Sequence, residues 1–379
     1  MEFSVKQSDL VRELNLSQGV VEKKTTIPIL SNVLIETGDG VIHLTATDLQ
    51  LGVRCSCPAR IIKAGSGTLP ARRLLDYIRL LPDSEVNFKM MDNQWANIVC
   101  GRSRSRIAGM SRESYPELPV MPAPLGEIPA STLSSMIQKT IFAISSEESR
   151  FTLNGAQLLM TDKTLTMVAT DGHRLALVEN KIPNPTVDGV YKTLVPKKAM
   201  YELLKLTADA AEGALISFSG DDNHLFFQLG ERLLLSRKLT GNFPDFDRVL
   251  PKTQTHQVFL GKDELKSTVQ RVSQFSEERS KAIRLQFADG EMKVFSSMSD
   301  TGESEETIAI DYTGPATDIG FNAQYLLDFL GATAEGALSF LFNDAQSAGE
   351  MRPATAGDGE KKPGEVAYTY RYVVMPMRI

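Results

Sequence analysis

One spacing constrains this chain more than any other feature. The segment Leu69-Pro70-Ala71-Arg72-Arg73-Leu74-Leu75-Asp76-Tyr77-Ile78 returns as Val195-Pro196-Lys197-Lys198-Ala199-Met200-Tyr201-Glu202-Leu203-Leu204. A weaker third copy is Phe321-Asn322-Ala323-Gln324-Tyr325-Leu326-Leu327-Asp328-Phe329-Leu330. Pro70, Pro196 and Asn322 stand 126 residues apart (196 − 70 and 322 − 196). Solenoid units run to roughly 20–50 residues, so a period this long is a repeated domain. A chain of 379 residues then holds three copies, each long enough to bury a core of its own.

Other segments keep the same order in each copy. Helical periodicity opens the copies over 6–16, 131–143 and 262–275. Strands carrying Thr-Asp follow in the first two, over 42–50 and 165–173, and an apolar strand comes late in each, over 85–90, 214–219 and 337–342. In the repeated helix Leu74, Leu75, Ile78 and Leu81 share one face, while Arg72 and Arg79, seven apart, lie on the other; Lys198 and Lys205 repeat that spacing. Pro-containing linkers over 115–126 and 241–251 separate the copies. The expected class is α+β, with domains over 1–120, 127–247 and 248–379. The stretch 349–364, rich in Gly, Ala, Lys and Glu, reads as a mobile hairpin tip or loop insertion.

A net charge of −6 argues against a protein that simply coats nucleic acid, although local basic surfaces can still exist. No apolar run approaches the roughly 18 residues of a membrane span, and Met1-Glu2-Phe3-Ser4-Val5-Lys6 lacks the layout of a secretion signal. Three cysteines, Cys55, Cys57 and Cys100, make no disulfide framework. The expected compartment is the cytoplasm, with no membrane partner.

Asp171-Gly172-His173-Arg174 invites an enzymatic reading, since a His beside a carboxylate can act as a general base. No nucleophile motif accompanies it, and no Walker-type or Rossmann-type glycine loop occurs. Cys55-x-Cys57 has no second pair, and His43, His173, His224 and His256 are scattered, so no zinc set is complete. No catalytic residue, metal or cofactor is expected. A hydrolase centred on Asp171 and His173 stands as the alternative from another class, and an interaction scaffold without a ring as a third.

Four further motifs narrow the choice. They are Thr26-Ile27-Pro28-Ile29-Leu30, Val168-Ala169-Thr170-Asp171-Gly172-His173-Arg174-Leu175-Ala176, Phe243-Pro244-Asp245 with Leu250-Pro251, and the C-terminal Tyr372-Val373-Val374-Met375-Pro376-Met377-Arg378-Ile379. In this order, on a triplicated chain, they resemble the bacterial DNA sliding clamps, the beta subunits of DNA polymerase III, along essentially the whole length. The resemblance implies a non-enzymatic processivity factor. It implies a homodimeric ring of six domains, with helices inside and sheets outside, around double-stranded DNA of any sequence. The implied partners are the polymerase III catalytic subunit, the clamp loader, and other polymerases and repair proteins that bind through short peptides.

Three sets of residues follow from the resemblance. DNA contacts are expected from Lys24, which matches a family position that touches DNA, and from Arg72, Arg73, Arg79, Lys139, Lys197, Lys198, Lys205, Lys266 and Arg271, with Arg12 beside them. Lysine and arginine there attract phosphates without reading bases. Glu147 falls where the best-known relative has an uncharged amide. A dimer seam is expected from Arg102, Arg104 and Arg106, which alternate along one strand, facing Glu303, Glu305 and Glu306, with Ile107 and Phe275 at apolar seam positions; Ser105 replaces an aromatic. A partner-peptide pocket is expected from Leu153, Thr170, Gly172, His173, Arg174, Leu175, Pro244, Arg248, Val249, Val373, Val374, Met375, Pro376, Met377 and Arg378, with Arg174 and Arg248 as polar rim contacts around an apolar centre. Methionine suits a surface that must accept several ligands. The sequence leaves open whether this is the housekeeping clamp or a second, drug-tolerance copy.

Overall fold

Among the described residues one element order recurs three times: a strand, a helix, four strands, a second helix and three strands. The structure, a computed structural model, describes residues 1–21, 26–182, 187, 189–298, 302–334, 336–354 and 368–378. The helices are α1 (Gln7–Val20), α2 (Ala71–Arg79), α3 (Ala130–Thr140), α4 (Lys197–Leu206), α5 (Lys262–Val272) and α6 (Ala323–Ala332). The helical stretches expected over 131–143 and 262–275 each end in a single 3-10 turn, Ile141–Ala143 and Ser273–Phe275.

The sequence pattern explains the repeated helix. In α2, Ala71, Leu74, Leu75 and Ile78 are buried, and the charged residues take the other side. Pro70 and Pro196 stand just before α2 and α4, where a missing N–H costs no helix bond. Asn322, their counterpart, caps α6 instead: its side-chain oxygen accepts from Gln324 N (2.9 Å) and Tyr325 N (3.3 Å).

The described residues form two compact units. The first comprises Met1–Ser134, Pro183–Val187 and Lys198–Lys238. Its 12-stranded sheet runs from Ser103–Ala108 at one end to Gly126–Pro129 at the other. Inside it, Leu51–Lys63 of the first copy pairs antiparallel with Arg232–Arg237 of the second. Glu13, in α1 and 2% exposed, receives two bonds from Arg232, at 2.8 and 2.9 Å, which secures a buried carboxylate that would otherwise be costly.

The second unit comprises Ser135–Ile182, Asp188–Lys197 and Leu239–Ile379. It holds an 8-stranded and a 4-stranded sheet. In the larger sheet, Arg174–Lys181 of the second copy pairs with Thr369–Val374 of the third. The smaller sheet ends on Gly302–Ala309. A cluster of rings that includes Phe287, Phe321, Phe340 and Phe342 fills part of the core, with Phe287 and Phe342 stacked at 4.4 Å.

Two sequence expectations need correction. The Thr-Asp strands stop at Thr47 and Thr170, because Asp48 and Asp171 turn the chain. The stretch 349–364 begins as a strand: Gly349–Pro353 pairs on both sides, and its first three residues are buried. Residues 355–364 lie outside the described residues.

Candidate functional site

The Thr-Asp turn opens the site. Asp171 Oδ1 accepts from His173 N (2.9 Å) and Arg174 N (3.1 Å), and Thr170 Oγ1 donates to Arg174 O (2.6 Å). Gly172 takes φ +90°, and a Cβ there would meet Arg150 Nη1 at 2.9 Å. The first copy builds the same turn, with Asp48 Oδ1 accepting from Gln50 N and Leu51 N. The Asp-x-His pattern is therefore a turn device. The other Asp171 oxygen receives Arg174 Nε at 3.0 Å, so the carboxylate is engaged by the turn and by Arg174.

Beyond the turn, strand alternation sorts the expected pocket residues. Leu175 stands opposite Val373, and Leu177 opposite Val168. These four form one buried apolar cluster. Leu159, Phe243, Phe246, Leu250 and Ala348 pack against it, half-buried. The linker that carries Phe243 and Leu250 turns at Phe246–Arg248, where Val249 N and Leu250 N both donate to Phe246 O. Pro244, Arg248 and Val249 are exposed along it, and Arg248 pairs with Asp245 at 2.8 Å. Leu153 and Thr170 are buried beside the turn, and His173 is exposed.

The C-terminal residues complete this face. Met375 N donates to His173 O (2.9 Å), and Met377 N to Gly320 O (2.8 Å). Met375 is 42% exposed, and Arg378 is exposed with Pro376 and Met377 half-buried before it. An apolar floor, a linker wall and a methionine-bearing edge thus meet within one unit. Such a surface can take a short, partly apolar chain.

Two expected members belong elsewhere. Arg174 and Val374 stand opposite each other, on the strand face away from Leu175 and Val373. Val374 is fully buried there. Arg174 is 9% exposed at its side chain and reaches Asp328 (2.6 Å), Phe142 O (2.6 Å) and the Tyr325 ring (4.3 Å). Burial works against its charge, but the carboxylates of Asp328 and Asp171 outweigh it and hold the guanidinium pKa above its ordinary value. Within the chain it acts as an internal rivet. Leu159, Val168, Leu177, Phe243, Phe246, Leu250 and Ala348 were missed by the sequence reading. The alternation of Leu175, Leu177 and Val373 was the available signal.

The basic residues are not equivalent. Arg79 bonds Asn15, Lys198 pairs with Asp48, Lys205 with Glu202 (2.7 Å) and Arg12 with Glu13 (3.0 Å). Arg72 donates to Val21 O at 3.5 Å. Lys139 bonds Ser135 and lies 4.8 Å from the Tyr368 ring, and burial lowers its pKa. Lys197 is lowered by burial and then by the charge of Arg174. Among the described residues no hydrogen bond or ion pair engages the side chains of Arg73, Lys197 or Lys266. Lys24 lies outside the described residues.

The expected seam strands are both sheet edges in their own units. Arg104 and Arg106 are exposed on one face of Ser103–Ala108, Arg102 is exposed in the turn before it, and Arg106 lies 5.1 Å over the Trp95 ring. Ile107 takes the opposite face and is 5% exposed within its own unit. Glu303 and Glu305 are exposed together. Glu306 takes the other face, where Arg271 grips both its oxygens at 2.6 Å and lowers its pKa. Arg271 and Glu306 therefore neutralise each other. Phe275 is exposed beside Gly302.

Three family descriptions match nearly end to end: the N-terminal, central and C-terminal domains of the DNA polymerase III beta subunit, over residues 1–119, 127–245 and 247–363. The chain belongs to the DNA polymerase III beta subunit family, the bacterial sliding clamps. A beta sliding clamp of Pseudomonas putida is 34% identical over 100% of both chains. One from Chlamydia muridarum is 31% identical over 100% of this chain and 99% of its own. The crystal structure of a sliding clamp from Pseudomonas aeruginosa bound to griselimycin superimposes with a TM-score of 0.92, at 31% identity and full coverage of both chains. Like the family, the chain is a DNA sliding clamp, a non-catalytic processivity factor built from three repeated α+β domains. DNA, polymerase and a second copy of itself are its partners in that general sense. The hydrolase reading of Asp171 and His173 is set aside.

Proposed function

We propose that the chain closes head to tail with a second copy into a six-domain ring, helices toward duplex DNA and sheets outward. The ring tethers the replicative polymerase and, through short peptides, the clamp loader and other polymerases and repair proteins. One observation carries the closure. The last strand before the repeated Pro/Asn strand-helix segment, Leu51–Lys63, pairs with the final strand of the next copy, Arg232–Arg237. Arg174–Lys181 repeats that junction with Thr369–Val374. Its third equivalent, Gly302–Ala309, is a sheet edge, and so is Ser103–Ala108, the final strand of the first copy. A second chain supplies both missing partners at once and covers both edges. Arg102, Arg104 and Arg106 then meet Glu303 and Glu305, with Phe275 at the seam.

Domain limits of 1–120, 127–247 and 248–379 follow the linkers, and the compartment is the cytoplasm. Phosphates are met chiefly by Arg73, Lys197 and Lys266, with Lys24, Arg72, Arg79, Lys139, Lys198 and Lys205 adding to the field. The peptide site is the apolar floor of Leu175, Leu177 and Val373 with the linker wall above it. The test is retention on nicked circular DNA after loading. The ring should stay through gel filtration on the circle and leave when the circle is cut; equal retention on linear DNA refutes encirclement.

A further inference from the structure

A buried carboxylate beside the apolar floor is tied to the linker above it. Glu350 lies on Gly349–Pro353, opposite Leu341 on one neighbouring strand and Val373 on the other. Its side chain is 0% exposed. Arg371, opposite Leu177, donates to Glu350 through Nε (2.6 Å) and Nη2 (3.0 Å), and Arg352 donates through Nε (2.6 Å). A buried ion pair is weak evidence for stability, since desolvation offsets most of its attraction. Here the arrangement does something further. Arg371 Nη2 also donates to Pro251 O at 3.0 Å. Pro251 directly follows Leu250, which with Phe246 and Phe243 packs on Val168, Leu175, Leu177 and Val373.

We propose that Glu350 and Arg371 are positioning residues for the partner-peptide pocket: Glu350 fixes the Arg371 fork, and the fork fixes the Pro251 carbonyl, so the linker wall stands over the floor before a peptide arrives. The proposal rests on the peptide-pocket reading above. Holding a wall in its bound position lowers the ordering cost of binding. The planar guanidinium suits this task, because its rigid fork serves the carboxylate and the carbonyl together, which an ammonium cannot do with the same geometry.

The test uses the full chain with Arg371→Met, Arg371→Lys and Glu350→Gln. The probe is a fluorescein-labelled short peptide with Gln near its start and Leu-Phe at its end. Three quantities are read: amide exchange of Phe246, Val249 and Leu250, peptide Kd by anisotropy, and the melting temperature. Arg371→Met should speed linker exchange and weaken binding about tenfold, which is about 1.4 kcal/mol. Exchange in Arg174–Lys181 should stay near wild type. The loss in affinity should track the fraction of chains whose linker is closed, since apparent affinity scales with the competent population. Arg371→Lys and Glu350→Gln, which each keep part of the pairing, should fall between wild type and Arg371→Met.

Unchanged linker exchange in Arg371→Met overturns the proposal, and so does faster linker exchange with unchanged peptide affinity. Faster exchange across the whole sheet with a lower melting temperature makes the group merely structural and also overturns it. Failure of the wild-type chain to bind the peptide refutes the pocket reading and this proposal with it. Normal wild-type binding with any of the three earlier results refutes this proposal alone.

Discussion

Replacing Arg174 by Met separates an internal rivet from a rim contact. The side chain is 9% exposed and holds Asp171 at 3.0 Å, Asp328 at 2.6 Å and Phe142 O at 2.6 Å. Met keeps much of the stem but none of the donors. It leaves Asp328, 22% exposed, and Asp171, 15% exposed, without their cation. Breaking a buried pair costs roughly 3–5 kcal/mol, and the water that reaches both carboxylates argues for the lower end, about 3 kcal/mol. At about 2–4 °C per kcal/mol for a domain of this size, the melting temperature should fall by about 6–12 °C. Because the folded pKa of Arg174 is raised, its contribution is complete below the unfolded guanidinium value. The loss should therefore not diminish as pH rises above neutral. Arg248→Met is the control: its side chain is 85% exposed with one pair to Asp245, so about 0–1 kcal/mol is at stake. Calorimetry and urea unfolding read the stability, and peptide anisotropy reads the site. If Arg174→Met melts with Arg248→Met yet loses peptide binding more severely, Arg174 is a peptide contact and the rivet reasoning is wrong.

Three further outcomes are expected. The chain should run at twice its 41.7 kDa by light scattering, and Arg104→Glu with Arg106→Glu should shift it toward monomer, with partial recovery on adding Glu303→Lys and Glu305→Lys; a wild-type monomer at micromolar concentration would refute the closed ring. Alanine at Arg73, Lys197 and Lys266 should lower the salt slope of DNA binding by about 0.9 for each phosphate no longer neutralised, whereas Arg271→Ala should barely change it, because Glu306 already neutralises that cation. In acid, Glu350 should matter: burial opposes its ionisation, but Arg371 and Arg352 outweigh burial and hold its pKa below the ordinary 4.5, so its stabilisation is present above 4.5 and is lost as pH falls through the lower folded value. Glu350→Gln should flatten that acid limb in melting curves, and an unchanged limb would assign it to other carboxylates.

Some of the site was legible early because it rests on local order. The turn at Asp171 and Gly172 is set by neighbours two and three residues away, and the same Thr-Asp pair produces it at Asp48. The methionine-bearing segment was legible as one of the motifs that carry the resemblance. Less legible was the side each residue faces. A motif such as Val373-Val374 names both residues alike, yet a strand sends one to the apolar floor and the other to the core. The acid run Glu303, Glu305 and Glu306 looked uniform for the same reason, and the pleat divides it.

The sequence by itself determined the triplication, the two helices and the late apolar strand of each copy, and which helices carry basic residues. These are properties of spacing and periodicity, and they need no knowledge of what lies across space. Only the tertiary structure decided that Arg174 faces Asp328, that Arg271 is neutralised by Glu306, and that Arg371 joins Glu350 to Pro251. Those choices depend on groups brought together from distant parts of the chain; around Arg174 and Glu350 the loss of water makes each unpaired charge costly and so fixes its partner, while the exposed Arg271 meets Glu306 because α5 and the strand Gly302–Ala309 pack side by side.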